Sequence, residues 1–177
     1  VKPLKEVVES FSSSSAAQLS SKEIDYSRAL LQTETKEVGK QRIQIHRLSI
    51  PRGETFKVVL SEGTEVFLNS DSRLAYPTIF KGKERVVSLE GEAYFKVAKD
   101  AAHPFIVKSG NLQVRVLGTE FNVRSFSPTD VRVTLITGKV AVSDTCGVHS
   151  VEMVPGQSAQ LSSDGTFAMN EVDIESF

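Results

Sequence analysis

Two glutamates separated by a single glycine, Glu90 and Glu92, are the residues of this chain best placed for acid–base chemistry. Along an extended strand, this spacing puts the two carboxylates about 6.6 Å apart. Carboxylates at that distance can act as the acid and the base of an inverting glycosidase. Such a site also needs aromatic rings for the sugar to stack on, and the chain has no Trp and only three Tyr. We therefore interpret both side chains as solvated residues beside a turn and predict that the protein is not an enzyme.

Other motifs for catalysis or metal binding are incomplete. The histidines, each isolated in the sequence, are His46, His103 and His149. Cys146 lies three residues before His149, but a structural zinc site needs four ligands. Residues 156–160 half resemble the elbow that carries a nucleophilic serine, yet they lack its second glycine and the helix that should follow Ser158. We predict no catalytic residue, no metal and no cofactor.

Composition narrows the class of protein further. The 177 residues suffice for one main domain and an extra segment, and 40% of them are hydrophobic. The net charge is −1, so the chain does not have the excess of basic residues that is typical of nucleic-acid-binding proteins. One cysteine excludes an intramolecular disulfide, and no apolar run approaches the roughly 18 residues of a membrane-spanning helix. Because the sequence starts at Val1 rather than Met, we expect it to be a piece of a longer protein.

The elements that must position any site are predicted to be short β-strands. All glycines except Gly39 follow Pro51, and most of them precede segments with alternating apolar residues. We predict an all-β fold, a β-solenoid-like stack of short strands; an antiparallel β-sandwich or jelly roll is the alternative. Chain turns are expected at Gly63, Gly91, Gly118, Gly138 and Gly156. Core positions are expected at Phe95, Val97, Phe105, Val107, Phe121 and Val123.

The first 50 residues have a different pattern. A serine tract at 10–21 is typical of a flexible linker, and the capping-box spacing of Ser20 and Glu23 predicts the start of a short helix. Ile43 and Ile45 alternate in the opposite phase to Leu48 and Ile50, which predicts a β-bulge near residues 46–47. We divide the chain into a partly helical or flexible linker segment, with a possible short helix or strand, at 1–50, a β domain at 51–170, and the start of a linker at 171–177.

Seven segments resemble, in order, the extracytoplasmic domain of the FecR family of anti-sigma regulators. They are residues 60–69, 72–80, 85–97, 103–107, 116–123, 135–142 and 154–159. The strongest contains Gly91-Glu92-Ala93-Tyr94-Phe95; Glu62 and Phe67 depart from the usual Asp and Trp. We expect the matching positions to be structural: Gly63, Asn69, Tyr76, Pro77, Gly91, Glu92, Ala93, Phe95, Pro104, Phe105, Gly118, Thr119, Phe121, Val123, Gly138, Pro155 and Gly156.

This resemblance implies a function in signalling. FecR-type regulators of iron and glycan uptake are single-pass inner-membrane proteins. The implied location of this domain is the periplasm, and the implied position of residues 1–50 is juxtamembrane. The implied partners are the signalling domain of a TonB-dependent outer-membrane transporter, mainly through a C-terminal domain beyond these residues, and a sigma factor through a cytoplasmic segment. No nucleic-acid partner is expected. The competing hypothesis is a non-catalytic carbohydrate-binding β domain, which the lack of Trp disfavours.

Overall fold

The computed structural model describes residues 18–20, 23–25, 43, 45–127, 130–162 and 166–173, and these residues confirm the all-β prediction. They form fifteen strands: β1 Gln18–Ser20, β2 Glu23–Asp25, β3 Ile45–Ser49, β4 Phe56–Val59, β5 Glu65–Leu68, β6 Arg73–Pro77, β7 Arg85–Lys96, β8 Phe105–Ser109, β9 Leu112–Val116, β10 Glu120–Ser127, β11 Asp130–Thr137, β12 Val140–Asp144, β13 Ser150–Met153, β14 Gln157–Leu161 and β15 Phe167–Glu171.

Two sheets share strand β7. Sheet A has the order β1-β2-β4-β5-β7-β10-β11-β14-β15, and sheet B has the order β3-β6-β7-β8-β9-β12-β13. Within the described residues, β2–β4 and β7–β8 are the parallel pairs and all other pairs are antiparallel. The joined sheets form a nearly closed, barrel-like arrangement. Most strand pairs are antiparallel, as in the β-sandwich or jelly roll that was the alternative prediction. In a β-solenoid, equivalent strands of stacked coils would instead be parallel neighbours.

Strand β7 passes from one sheet to the other at Gly91. Residues before it pair with β6 and β8, and residues from Gly91 onward pair with β5 and β10. Gly91 has φ +96°, and a Cβ there would lie 2.7 Å from the Cα of Ser72. The buried Ser72 hydroxyl donates to Glu92 O (3.0 Å) and accepts from Glu92 N (2.9 Å), so it supplies backbone hydrogen bonds at the bend.

The predicted turns are confirmed at four of the five glycines. Gly63, Gly118, Gly138 and Gly156 lie between strands, and each has positive φ. Gly91 also has positive φ, but the expected turn is wrong: this glycine lies inside the longest strand, where it lets the chain bend without ending the pairing. The sequence pattern correctly predicted a positive φ at Gly91, but it wrongly predicted that the strand ends there.

The core lies between the two sheets, and the six predicted core residues are all buried. Side chains of both sheets contribute to it because residues alternate between the two faces of each strand. The ring of Phe95 stacks on that of Phe121, with centroids 5.1 Å apart and an angle of 11°. The ring centroid of Phe105, in sheet B, lies 6.2 Å from that of Phe95, so the aromatic cluster links the two sheets.

The N-terminal region differs from its prediction where it is described. Ser20 ends β1 and Glu23 begins β2, so the predicted helix start is wrong; β1 and β2 pair antiparallel, and β2 joins β4. The serine tract lies mostly outside the described residues. β3 pairs with β6 in an unbroken register, so the predicted bulge is wrong too: Ile45 faces outward, and Leu48 faces the core. Where the chain is described, no helix has the length and hydropathy needed to cross a membrane.

Candidate functional site

An open cleft of about 450 Å³ lies on the outer face of sheet A, where β4, β5, β7 and β10 are neighbours. We call it the Glu92 cleft. It is lined by Thr55, Phe56, Lys57, Phe67, Leu68, Asn69, Glu92, Ala93, Tyr94 and Asn122. Phe56, Leu68 and Ala93 belong to the core, so the groups that reach the cleft come mainly from outward-facing positions.

The sheet register brings these outward side chains into one row. Lys57 is opposite Phe67, Phe67 is opposite Tyr94, and Tyr94 is opposite Asn122. The Phe67 and Tyr94 rings meet edge to face with centroids 6.0 Å apart. The Lys57 ammonium lies 5.7 Å from the Phe67 ring centre and forms an ion pair with Glu65 (3.0 Å). The row therefore has an aromatic centre, a cation at one end and an amide at the other.

The carboxylate of Glu92 is held between two amides. Asn69 Nδ2 donates to Glu92 Oε2 (3.1 Å), and Asn122 Nδ2 donates to Glu92 Oε1 (2.9 Å). Asn69 Oδ1 in turn accepts the backbone N–H of Ser70 (2.8 Å), and Asn122 is 8% exposed. Side chains fixed in this way are oriented before any ligand arrives. Glu92 is thus not the freely solvated acid that its sequence context predicted.

Tyr94 is a hydrogen-bond donor rather than a base. Its hydroxyl donates to Glu120 Oε2 (2.7 Å), and the other oxygen of Glu120 lies 4.0 Å from Lys96 Nζ. Burial raises the pKa of Tyr94 to about 12, and the hydrogen bond and negative charge of Glu120 add to the effect. The phenol therefore stays protonated at neutral pH and fixes the ring beside Phe67.

Glu90 and Glu92 do not share a site. Arg73 Nη1 forms an exposed ion pair with Glu90 (3.1 Å), and both residues line a second cleft of about 620 Å³. Glu92, by contrast, lines the Glu92 cleft, and Glu90 does not. A glycosidase would need both carboxyl groups on one substrate, and the bend at Gly91 separates their surroundings.

A second polar cluster, which we call the Arg85 cluster, was missed by sequence reasoning. The side chain of Arg85 is only 3% exposed. Its Nη1 donates to Glu62 Oε1 (3.3 Å) and to Ala98 O (3.0 Å). Its Nε donates to His103 O (2.7 Å). Thr64 Oγ1 donates to the same Glu62 oxygen (2.5 Å) and accepts Ala98 N–H (3.1 Å). The guanidinium also lies 5.4 Å from the Phe105 ring centre. The cluster joins two loops to the start of β7.

One sequence signal could have revealed that cluster. Arg85 is in the same alternation phase as Val87 and Leu89, which both face the core. A charged side chain on a core-facing position must find partners, because burying an unpaired charge is costly. Glu62, one of the two departures from the family pattern, is the partner that it finds.

The family-motif residues of the sequence analysis occupy three kinds of place. Asn69, Glu92 and Ala93 line the cleft, and Tyr76, Phe95, Phe105, Phe121 and Val123 are core residues. Pro77 ends β6, and Pro104 O accepts the Arg85 N–H (2.8 Å). Thr119 Oγ1 donates to Lys139 O (3.0 Å) between the turns of Gly118 and Gly138, and Pro155 and Gly156 form the turn before β14. Sequence reasoning missed Lys57, Tyr94 and Asn122 as cleft residues.

The histidines are placed beside aspartates or an aromatic ring. His103 Nδ1 lies 2.7 Å from Asp100 Oδ2, and this hydrogen bond lowers the pKa of Asp100. His149 Nδ1 lies 2.9 Å from Asp144 Oδ2 and lowers the pKa of that aspartate in the same way. His46 contacts Tyr76 edge to face, and Cys146 is exposed. In the ranges that the structure describes, no three His, Cys, Asp or Glu side chains come together as a metal site would require.

Comparison with known proteins assigns the family. The model of the FecR protein family matches residues 46–141. Two crystal structures, each described as a candidate anti-sigma factor from Parabacteroides distasonis ATCC 8503, are 32% identical to the chain, with TM-scores of 0.70 and 0.69. The matches cover 75% and 73% of this chain but 62% and 61% of those chains, so it spans about three fifths of their length. No curated protein matches. The chain belongs to the FecR protein family.

Proposed function

We propose that this chain is the periplasmic signal-receiving domain of an anti-sigma factor. In this role it relays the state of a TonB-dependent outer-membrane transporter to an extracytoplasmic-function sigma factor. The observation that carries the proposal is the family match over residues 46–141, together with 32% identity to two structures described as candidate anti-sigma factors. The family match runs from β3 to the start of β12 and includes strands of both sheets, so it concerns most of the β domain and not one motif.

The geometry supports a relay that does not turn over a substrate. The two sheets share β7 and one core, so a force or contact on one sheet is transmitted to the other through packed side chains. The two glutamates suited to hydrolysis lie in different surroundings, and Glu90 is engaged with Arg73. A body that resists deformation and offers exposed faces is what a relay requires.

We place the contacts with the two partners outside the described β domain. The sigma factor would be bound by a cytoplasmic segment, and the transporter's signalling domain mainly by a C-terminal domain of the full-length regulator. The β domain would hold these parts in their productive arrangement on the periplasmic side of the inner membrane. The protein would then be a single-pass inner-membrane protein.

The test is a deletion in the full-length regulator. Because β3 pairs with β6 and belongs to sheet B, the deletion should remove residues 45–173. Sigma-dependent transcription is measured with and without the transported nutrient, and immunoblotting checks that the shortened regulator accumulates. We expect the difference between the two conditions to disappear. Unchanged induction would show that the β domain is a dispensable spacer and would overturn the proposal.

A matched control uses a variant that leaves the fold intact. Val148 is 74% exposed and lies between β12 and β13, so Val148→Ala should keep the fold and retain normal induction. Retained induction in this control assigns the effect of the deletion to loss of the β domain. The same loss of induction in the control would show that the assay responds to any change and would argue against a specific relay.

A further inference from the structure

We propose that the Glu92 cleft binds a neutral saccharide. The inference rests on the geometry of the cleft and does not depend on the anti-sigma role. The cleft volume, about 450 Å³, falls in the range of small-molecule sites, roughly 300–1000 Å³. Its lining combines an aromatic surface with a few fixed polar groups, which is the general design of such sites.

The aromatic surface suits the apolar face of a sugar ring. Phe67 is 40% exposed although its neighbours Val66 and Leu68 are buried in the core. Tyr94 packs edge to face against it, and its hydroxyl is tied to Glu120, so both rings are held in place. A pyranose presents C–H groups on one face, and covering the exposed Phe67 ring with them removes apolar surface from water. Phe67 and Tyr94 together supply the aromatic surface for sugar stacking that the lack of Trp had argued against.

The polar groups suit sugar hydroxyls. Each oxygen of Glu92 accepts one hydrogen bond from Asn69 or Asn122, which leaves lone pairs available for further donors. Each of the two amides also has a second N–H. A hydroxyl group both donates and accepts, so neighbouring hydroxyls of one ring can bond to the carboxylate and to an amide together. The burial of Asn122 fixes this arrangement before binding, which lowers the entropy cost of association.

The charges around the cleft favour a neutral ligand. Lys57 is paired with Glu65, and Lys96 approaches Glu120. Arg124 is the cross-strand neighbour of Glu92 on β10, but its guanidinium lies 5.7 Å from the Phe126 ring centre and forms no ion pair with Glu92 in the described residues. The Glu92 carboxylate is held by two neutral amides instead. Because each of the two lysines already has a carboxylate partner, neither is left to attract an anionic ligand. A neutral ring with hydroxyl groups matches this surface better than a phosphate or a basic side chain.

The experiment is an NMR titration of the ¹⁵N-labelled 177-residue chain with maltotriose, cellotriose, mannotriose and N,N′-diacetylchitobiose. We expect at least one saccharide to shift the amide signals of Phe67, Asn69, Tyr94 and Asn122 in a saturable way. Phe67→Ala and Asn69→Ala should each weaken binding about tenfold while the rest of the spectrum stays folded. Two independent variants protect the test against a local folding defect in one of them.

The matched control is again Val148→Ala, since this exposed apolar residue lies between β12 and β13 and does not line the Glu92 cleft. It should bind the saccharide as the parent does. The proposal is overturned if none of the four saccharides shifts the cleft signals, or if the control loses affinity as much as Phe67→Ala. A capped Gly-Arg-Gly peptide is titrated in parallel. Saturable shifts of the cleft by the peptide, and by no saccharide, would identify a peptide site and also overturn the proposal.

Discussion

The two polar clusters of β7 lie on either side of Gly91 and differ in almost every physical property. At the start of the strand, the guanidinium of Arg85 is buried and is held by a carboxylate and two backbone carbonyls. After the bend, Glu92 faces a cleft and is held by two amides, with no cation within ion-pair distance in the described structure. The first cluster ties loops to the core, and the second leaves polar groups available to a ligand.

The comparison shows that burial, and not the presence of charge, separates a structural cluster from a candidate site. A buried ion pair adds little when complete, because removing both charges from water is costly. Losing one partner is very different, since the other charge is then left uncompensated. An exposed network has the opposite behaviour, because water replaces a lost partner.

The largest effect expected from this difference is that of Arg85→Met. Leaving Glu62 without its cation should lower the free energy of unfolding by about 3–5 kcal/mol, measured by urea denaturation. The control is Arg73→Met, which breaks the exposed pair with Glu90 and should cost no more than about 1 kcal/mol. Equal losses in the two variants would contradict the structural role of the Arg85 cluster.

The bend between the clusters provides the second prediction. Gly91→Val introduces a β-branched residue at φ +96° and places its Cβ against the backbone of Ser72. Strain and overpacking together should cost about 3 kcal/mol. Gly53→Val is the matched control, because Gly53 has φ +83° and open space around it, so that only the strain is present. A smaller loss for Gly91→Val than for Gly53→Val would show that the approach of Ser72 is not the limiting contact.

A smaller effect is expected from Glu92→Gln. The amide keeps one acceptor but loses the hydrogen bond at the other position, which should cost about 1 kcal/mol in unfolding free energy. The variant should fold as the parent does, as judged by circular dichroism and urea denaturation. If the parent protein hydrolysed a sugar and this substitution abolished that activity, the glycosidase hypothesis would be revived.

The smallest effect concerns pH and Tyr94. The pKa of about 12 exceeds the ordinary value of 10, so the folded state holds this proton more tightly than the unfolded state does. The stabilisation is fully present below pH 10 and is lost as the pH rises from 10 to 12. Because the side chain is only partly buried, solvent screening should limit the effect to less than about 1 kcal/mol.

Urea denaturation between pH 9 and 12 measures this loss, and Tyr94→Phe is the control. The phenylalanine variant should have the flatter stability profile, while both proteins share the titration of their lysines. Identical profiles for the two proteins would mean that the hydrogen bond to Glu120 does not hold the Tyr94 proton.

Much of the fold was accessible from local patterns. Alternation identified the core faces that carry Phe95, Phe105 and Phe121, because one buried face forces a period of two on a strand. Positive φ was correctly expected at Gly63 and Gly91, since turns and bends of this kind favour glycine. The resemblance of seven ordered segments identified the family, which the family match confirms.

Other features depended on contacts that no local pattern contains. The capping-box spacing at Ser20 and Glu23 predicted a helix, but Glu23 begins a strand that pairs with β1 on one side and with the distant β4 on the other. The opposite phases of Ile45 and Leu48 were interpreted as a bulge, although they are simply the two faces of a regular strand. In both cases the sequence signal was real and its structural meaning was decided by a distant partner.

The sequence by itself thus determined the class of fold, the buried faces and the positions where glycine was needed, because these follow from side-chain alternation and backbone sterics. Only the tertiary structure decided which outward residues meet. The row on the outer face of sheet A takes one side chain from each of four strands: Lys57, Phe67, Tyr94 and Asn122. They lie side by side because of the register between those strands. Register is set by how the whole core packs, and a shift of one residue would turn each of these side chains to the other face of the sheet.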